Sequence, residues 1–83
     1  MNLNYTRLAE KQLKKLNLRA QQRIIFELEK FQRGERVDIK KVQGTKDEYR
    51  IRIGNFRVQL IKIDSNIYVI KVGKRENFYL IFL

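Results

Sequence analysis

Residues 49–58, YRIRIGNFRV, decide the fold, because they join a strict alternation of side chains to a two-residue turn signal. In the first half, apolar residues alternate with arginines, which is typical of a strand with one apolar face. Gly54-Asn55 is a hairpin signal, and glycine in first place favours a type II′ turn. The stretch predicts two antiparallel strands with an apolar face and a basic face. The basic face carries Arg50, Arg52 and Arg57.

Upstream of this hairpin, the sequence predicts a short strand at 2–5 and two amphipathic helices. Thr6 is a suitable N-cap for the first helix, and Asn17 separates it from a second helix over 18–33. Both helices have apolar residues at helical spacing, and Gly34 is a natural C-terminal stop. The two apolar stripes are Ala9, Leu13 and Leu16, then Ile24, Ile25, Leu28 and Phe31.

Downstream, Asp64-Ser65-Asn66 predicts a second turn, followed by a strand over 67–72 that is apolar on both faces and therefore central. Residues 37–45 lose the periodicity and are expected to form a basic loop or a short edge segment. A chain of 83 residues supports one domain, residues 1–83. We therefore expect an α+β fold, β-α-α-β-β-β. An N-terminal strand and a helical hairpin would pack on one face of a mostly antiparallel, four-stranded sheet.

The composition narrows the classes of function. The formal net charge is +10, which points to a polyanionic partner such as nucleic acid or the ribosome. There is no cysteine and no histidine, so thiolate or imidazole metal sites and His or Cys catalysis are excluded. The carboxylates show no metal-binding or acid–base arrangement, and we expect no cofactor and no metal. Neither a signal peptide nor a membrane span is predicted, which favours a cytoplasmic protein that does not bind membranes.

The arginine row has two interpretations on this basis. It is either a solvated strand face whose charges protect the sheet, or an anion-binding face whose guanidinium groups bind phosphate in a bidentate manner. Like charges on neighbouring strands repel one another, so a purely structural face would be expected to alternate them with acids.

The segment QGTKDEYRIRIGNFRV at 43–58, followed by IYVIKVGKRENFY at 67–79, resembles the RelE-type toxins of the RelE/ParE toxin–antitoxin superfamily. The resemblance implies a type II toxin that cleaves mRNA in the ribosomal A site and inhibits translation. It also implies a 2′,3′-cyclic phosphate product and a RelB-like antitoxin that forms a hetero-oligomer with the toxin. The site residues it implies are Arg50, Arg52, Arg57, Arg75 and Tyr79, with Lys40, Lys41, Lys46 and Lys74 holding the RNA backbone.

Within that resemblance, Arg57 and Arg75 would stabilise the scissile phosphate, Arg50 and Arg52 would position the RNA, and Tyr79 would stack on a base or donate a proton. RelE-type enzymes have lysines at the positions of Arg50 and Arg52. Arginine is a poor general base, so the group that accepts the proton stays open.

Two other functions remain in view. A ParE-like, non-catalytic inhibitor of a topoisomerase such as gyrase would share the fold, although such chains generally lack the full basic site. A nucleic-acid-binding module without toxicity is the third.

Overall fold

The strands and helices follow the order expected from the sequence, with one addition. The computed structural model describes residues 1–74. In this range one strand is followed by two helices and then by four more strands. In chain order the elements are β1 (Asn2–Tyr5), α1 (Arg7–Lys14), α2 (Leu18–Gln32), β2 (Ile39–Lys41), β3 (Glu48–Ile53), β4 (Phe56–Ile63) and β5 (Asn66–Lys74).

All five strands belong to one sheet, in the order β1-β5-β4-β3-β2. Strand β1 runs parallel to β5, and every other neighbouring pair is antiparallel. The predicted α+β class is confirmed, but the count of four strands is wrong. The basic segment after α2 adds a short edge strand, because Ile39, Lys40 and Lys41 pair with β3.

The helix boundaries are set by the predicted caps. The Thr6 hydroxyl accepts the Ala9 N–H, and the Asn17 side chain accepts the Ala20 N–H, so each satisfies one free donor of a helix N-terminus. Gly34 ends α2 with a φ of +82°. The Glu35 N–H donates to the Lys30 carbonyl and the Gly34 N–H to the Phe31 carbonyl, which is the Schellman pattern.

The core lies between the helical hairpin and one face of the sheet. The fully buried side chains of Ile24 and Leu28 in α2 and of Ala9 in α1 pack against it. The strands contribute Ile51, Ile53, Val58, Leu60, Ile67, Val69 and Val72. In this part of the chain neither helix is long and apolar enough to cross a membrane.

A β-bulge interrupts the pairing of β4 with β5. Gln59 pairs with Lys71 and the next residue, Leu60, pairs with Val69, so Ile70 is an extra residue on β5. Simple alternation would place Val69 and Lys71 on the same face of the sheet. Because of the extra residue, Val69 lies on the core face with Leu60, and Lys71 lies on the opposite face with Gln59.

Side chains and backbone from the start of α1 hold the bulge in place. The Thr6 N–H donates to the Val69 carbonyl at 3.0 Å, and the Thr6 hydroxyl donates to the Ile70 carbonyl at 3.1 Å. The Val72 N–H donates to Gln12 Oε1 at 2.8 Å. These three bonds satisfy backbone groups of β5 on both sides of the bulge and at Ile70 itself.

The Gln12 bond gives a test of how the bulge is supported. Gln12→Leu leaves the buried Val72 N–H without its acceptor, and we expect the free energy of unfolding to fall by about 1–3 kcal/mol. Gln22→Leu, the same change at an exposed position of α2, is the control and should stay within about 0.5 kcal/mol. Urea denaturation followed by circular dichroism measures both. Equal effects would show that the Gln12 bond does not stabilise the fold.

Candidate functional site

The sheet face opposite the helices carries two cross-strand rows of polar residues. The first row runs across four strands and contains Lys40, Arg50, Gln59 and Lys71, each paired with the next. The second row contains Arg52 on β3, which pairs with Arg57 on β4. We call these residues together the basic row. The strand register therefore brings the three predicted arginines onto one face.

A cleft of about 560 Å³ opens on this face beside β2 and β3. Val42 and Gln43 form part of its wall. Among the described residues, its charged lining comprises five cations and one carboxylate, which makes it a site for an anion. These residues are Lys40, Lys41, Arg50, Arg52, Arg57 and Asp38.

Asp38 is the acidic member of the lining, and the sequence reasoning did not identify it. Its carboxylate accepts a hydrogen bond from Arg52 Nε at 2.8 Å, and its carbonyl accepts the Arg52 N–H at 2.9 Å. Both side chains are exposed, so the pair contributes little to stability. Its effect is to fix the direction of the Arg52 guanidinium at the rim of the cleft.

The sequence predicts that all three arginines are exposed, because the other face of the sheet holds the core. This holds for Arg52, but Arg50 is half-buried and Arg57 is buried. Arg57 lies on the expected face. Its side chain is only 8% exposed, because it folds back over the β3–β4 turn. Its Nη1 donates to the Gly54 carbonyl at 3.1 Å and to the Phe56 carbonyl at 2.9 Å. Gly54 has a φ of +57°, whereas the φ of Asn55 is not positive, as expected for a type II′ turn. Arg57 is therefore held by the turn that the sequence predicted.

Lys71 is a member of the basic row that the sequence reasoning missed, although it does not line the cleft. It has no exposed surface, although it lies on the face opposite the core. Burial lowers its pKa to about 8, and the positive charge of Arg50 lowers it further in the same direction. A lysine in this environment loses its proton close to neutral pH.

Gln59 lies between Arg50 and Lys71 in the first row and is itself nearly buried. Its amide donates to Glu48 Oε2 at 3.1 Å. Glu48 is half-buried at the start of β3, next to the row. This bond fixes the amide between the two cations, which keeps the basic row ordered.

The remaining predicted residues differ in their placement. Lys40 and Lys41 are exposed on β2 and line the cleft. Lys46 and Lys74 are exposed but do not line it. Arg75 and Tyr79 lie outside the described residues. Within residues 1–74, no group of three or more acidic side chains could hold a metal ion.

Comparison with known proteins agrees with this geometry. Residues 3–79 match the family described as the ParE toxin of the type II toxin–antitoxin system parDE. Over 47 residues the chain is 45% identical to a candidate toxin named RelE1 from Methanocaldococcus jannaschii. That match covers 54% of this chain and 52% of the relative, so it spans about half the length of that protein.

Solved structures of toxin–antitoxin complexes have the same fold. The RelB–RelE complex from Methanococcus jannaschii has a TM-score of 0.82 at 27% identity, covering 96% of this chain and 99% of that one. The intact Escherichia coli RelBE complex has a TM-score of 0.76 at 25% identity, covering 88% and 94%. The chain therefore belongs to the ParE toxin family of type II toxin–antitoxin systems within the RelE/ParE superfamily, and it is similar to RelE toxins in sequence and fold.

The burial of Lys71 predicts a measurable effect on stability. Replacing it with methionine removes a buried charge, and Lys71→Met should raise the free energy of unfolding by on the order of 2 kcal/mol at pH 7. The gain should shrink as pH rises from 8 to 10.5, because the unfolded wild type keeps a proton there that the folded protein has lost.

Urea denaturation of both proteins at pH 7 and at pH 10 measures this difference. Lys62→Met, the same substitution on β4, is the control. A similar gain from Lys62→Met, or a gain at Lys71 that does not change with pH, would contradict the assignment of a buried charge.

Proposed function

We propose that this protein is a ribosome-dependent endonuclease that cleaves mRNA in the A site and so inhibits translation. The observation that carries the proposal is the cleft, in which five cations meet one carboxylate on the open face of the sheet. Its charge and its arginine forks suit an RNA phosphate. The RelE-type relatives support the same assignment.

The proposed reaction needs no metal ion. The 2′-oxygen of a nucleotide attacks the adjacent phosphorus, the bond to the 5′-oxygen breaks, and a 2′,3′-cyclic phosphate and a 5′-hydroxyl result. Negative charge builds on the phosphate oxygens in the transition state, and fixed guanidinium groups stabilise it. Arg57 is suited to this, because its hydrogen bonds to the turn hold it in place before RNA binds. Arg75 remains the second predicted stabiliser.

The other site residues have supporting roles in the proposal. Arg50 and Arg52 position the RNA, and Tyr79 stacks on a base or donates a proton. Lys40, Lys41, Lys46 and Lys74 are exposed cations that hold the backbone of mRNA and rRNA. The ribosome contributes by presenting the mRNA in an orientation in which the 2′-oxygen is in line with the leaving group.

A RelB-like antitoxin is the proposed protein partner, as in the archaeal and E. coli complexes with this fold. A cleft with four more positive than negative charges (five cations less one carboxylate) is complementary to an acidic segment. Such a segment would occupy the cleft and exclude RNA, which explains how the toxin would be kept inactive.

Primer extension on a defined mRNA, with and without programmed ribosomes, tests the activity. We expect cuts at A-site codons only when ribosomes are present. Arg50→Gln and Arg57→Gln should lower the rate of cleavage by about 10²–10³-fold, because each removes a charge that faces the phosphate. Arg75→Ala should do the same.

Arg19→Gln on α2, which removes an arginine far from the cleft, is the matched control and should cleave like the wild type. Circular dichroism checks that each variant is folded, which matters most for Arg57 because it also binds the turn. Undiminished cleavage by folded Arg50→Gln and Arg75→Ala would rule out the assigned site.

A non-catalytic inhibitor of gyrase is the second candidate, since the matching family is described by its ParE member. Supercoiling assays distinguish the two functions. Inhibition of gyrase by folded protein that leaves ribosome-bound mRNA intact would replace the endonuclease proposal with this one.

Binding to RNA should depend strongly on salt. Each phosphate contact contributes a slope of about −0.7 in a plot of log affinity against log salt for single strands. Fluorescence anisotropy with an uncleavable 2′-deoxy oligonucleotide should give a slope of about −2 to −4, and Arg50→Gln should make it shallower by about 0.7. A slope near zero would show that the cleft does not bind the backbone.

A further inference from the structure

The proposed reaction needs a group that removes the proton of the 2′-hydroxyl, and arginines cannot do so because they stay protonated. We propose that Lys71 is this catalytic residue: its amine accepts the proton of the attacking 2′-hydroxyl from the end of the basic row. The inference rests on the proposed endonuclease function and adds to it a residue at a position that the sequence resemblance did not assign.

The bulge in β5 is the first argument, because it turns Lys71 onto the sheet face that carries the cleft. Without the extra residue Ile70, Lys71 would lie on the core face beside Val69. With it, Lys71 lies in register with Gln59, which in turn pairs with Arg50. Bulges occur next to active sites because they redirect a side chain in this way.

The reach of the side chains is the second argument. Lys71 and Arg50 are two strands apart, or about 10 Å between Cα atoms. An extended lysine spans about 6 Å from Cα to Nζ and an arginine slightly more. A phosphate held by Arg50 is therefore within range of the Lys71 amine, and the 2′-hydroxyl is the next group along the RNA. The positive charge of Arg50 lowers the pKa of Lys71, which agrees with this spacing.

The protonation state of Lys71 is the third argument. With a pKa of about 8, about one Lys71 in ten is neutral at pH 7, compared with about one in three thousand for a lysine at its ordinary value of 10.5. A neutral amine is the form that accepts a proton, and a base whose pKa lies near the working pH is efficient.

The proton transfers balance with Lys71 and solvent. Lys71 Nζ takes the proton from the 2′-hydroxyl as the 2′-oxygen forms its bond to phosphorus. The bond from phosphorus to the 5′-oxygen breaks on the opposite side of the phosphorus, and the leaving oxygen takes a proton from a water molecule on that side. The resulting hydroxide and the Lys71 ammonium neutralise each other through solvent, so the amine returns to its starting state and no water or metal ion is consumed. The buried amine must be reached by the RNA, so direct contact is part of the proposal.

Other charged and titratable groups face Lys71 from the strands beside it. Arg50 on β3 and Arg57 on β4 are positively charged, so both disfavour a further positive charge on Lys71. Lys40 lies at the far end of the row. Among residues 1–74, Glu48 is an acid next to the row and is bonded to Gln59, and Tyr68 is a titratable side chain on the same face of β5. A bound phosphate adds negative charge and should raise the pKa of Lys71.

Single-turnover cleavage on programmed ribosomes between pH 6.5 and 8.5 tests the catalytic role. In the wild type the rate should rise about tenfold per pH unit below the pKa of Lys71 in the RNA complex, which the bound phosphate raises above its value in the free protein. Lys71→Met and Lys71→Arg should each be slower by about 10²–10⁴-fold and lose this pH dependence. Affinity for a 2′-deoxy oligonucleotide should change little in Lys71→Arg, which keeps the charge. Lys71→Arg keeps the positive charge, so it separates proton transfer from electrostatics.

Lys62→Met is the matched control and should keep both the rate and the pH profile of the wild type. A rate for Lys71→Met within about threefold of the wild type, with the same pH profile, would overturn the proposal. Rescue of full activity by Lys71→Arg would also overturn it, because it would assign Lys71 an electrostatic role only.

Nuclear magnetic resonance of the lysine side chains gives a readout that does not need cleavage. Titration of the Lys71 signals with and without the 2′-deoxy oligonucleotide should show that RNA shifts these signals and raises the pKa. Signals that do not respond to bound RNA would overturn the contact. A wild type that binds RNA at Lys71 but never cleaves would instead refute the endonuclease function, so the two failures are distinguishable.

Discussion

Three hydrogen bonds from Thr6 and Gln12 to the bulged part of β5 are the constraint on which the site depends. A bulge leaves backbone groups without ladder partners, and buried groups of this kind are costly unless another donor or acceptor satisfies them. Here the start of α1 does so, which couples the helical hairpin to the strand that carries Lys71. The hydrogen bonds of Thr6 and Gln12 thus support the bulge that places Lys71 on the open face of the sheet.

The concentration of positive charge on the open face opposes folding. Arg52 and Arg57 are direct cross-strand neighbours, and Lys71 is buried near Arg50. The structure offsets part of this repulsion locally: Asp38 pairs with Arg52, and the turn carbonyls accept from Arg57. A polyanion that binds this face relieves the rest, so the stability of the protein and its affinity for such a partner are linked.

The sequence predicted those parts of the structure that local patterns determine. The alternation in 49–58, the caps at Thr6 and Asn17 and the stop at Gly34 depend on neighbouring residues only, and they are confirmed. The bulge has no such signal, because Ile70 continues an apolar run that reads as regular strand. The Asp38–Arg52 pair spans 14 residues and forms only because β2 pairs with β3. Folding back of Arg57 is a choice of side-chain rotamer, which composition does not reveal.

The pairing of β1 with β5 has a consequence for how the protein is made. The first strand can complete its place in the sheet only when β5 has been synthesised, and the bond between Gln12 and Val72 likewise joins residues 60 apart in the chain. At 5–20 residues per second, that separation corresponds to on the order of 3–12 s of translation. Until then the basic row has no fixed geometry. Under the proposed function, a nascent chain therefore lacks the ordered site until β5 has been made, and the proposed antitoxin could bind as the sheet closes.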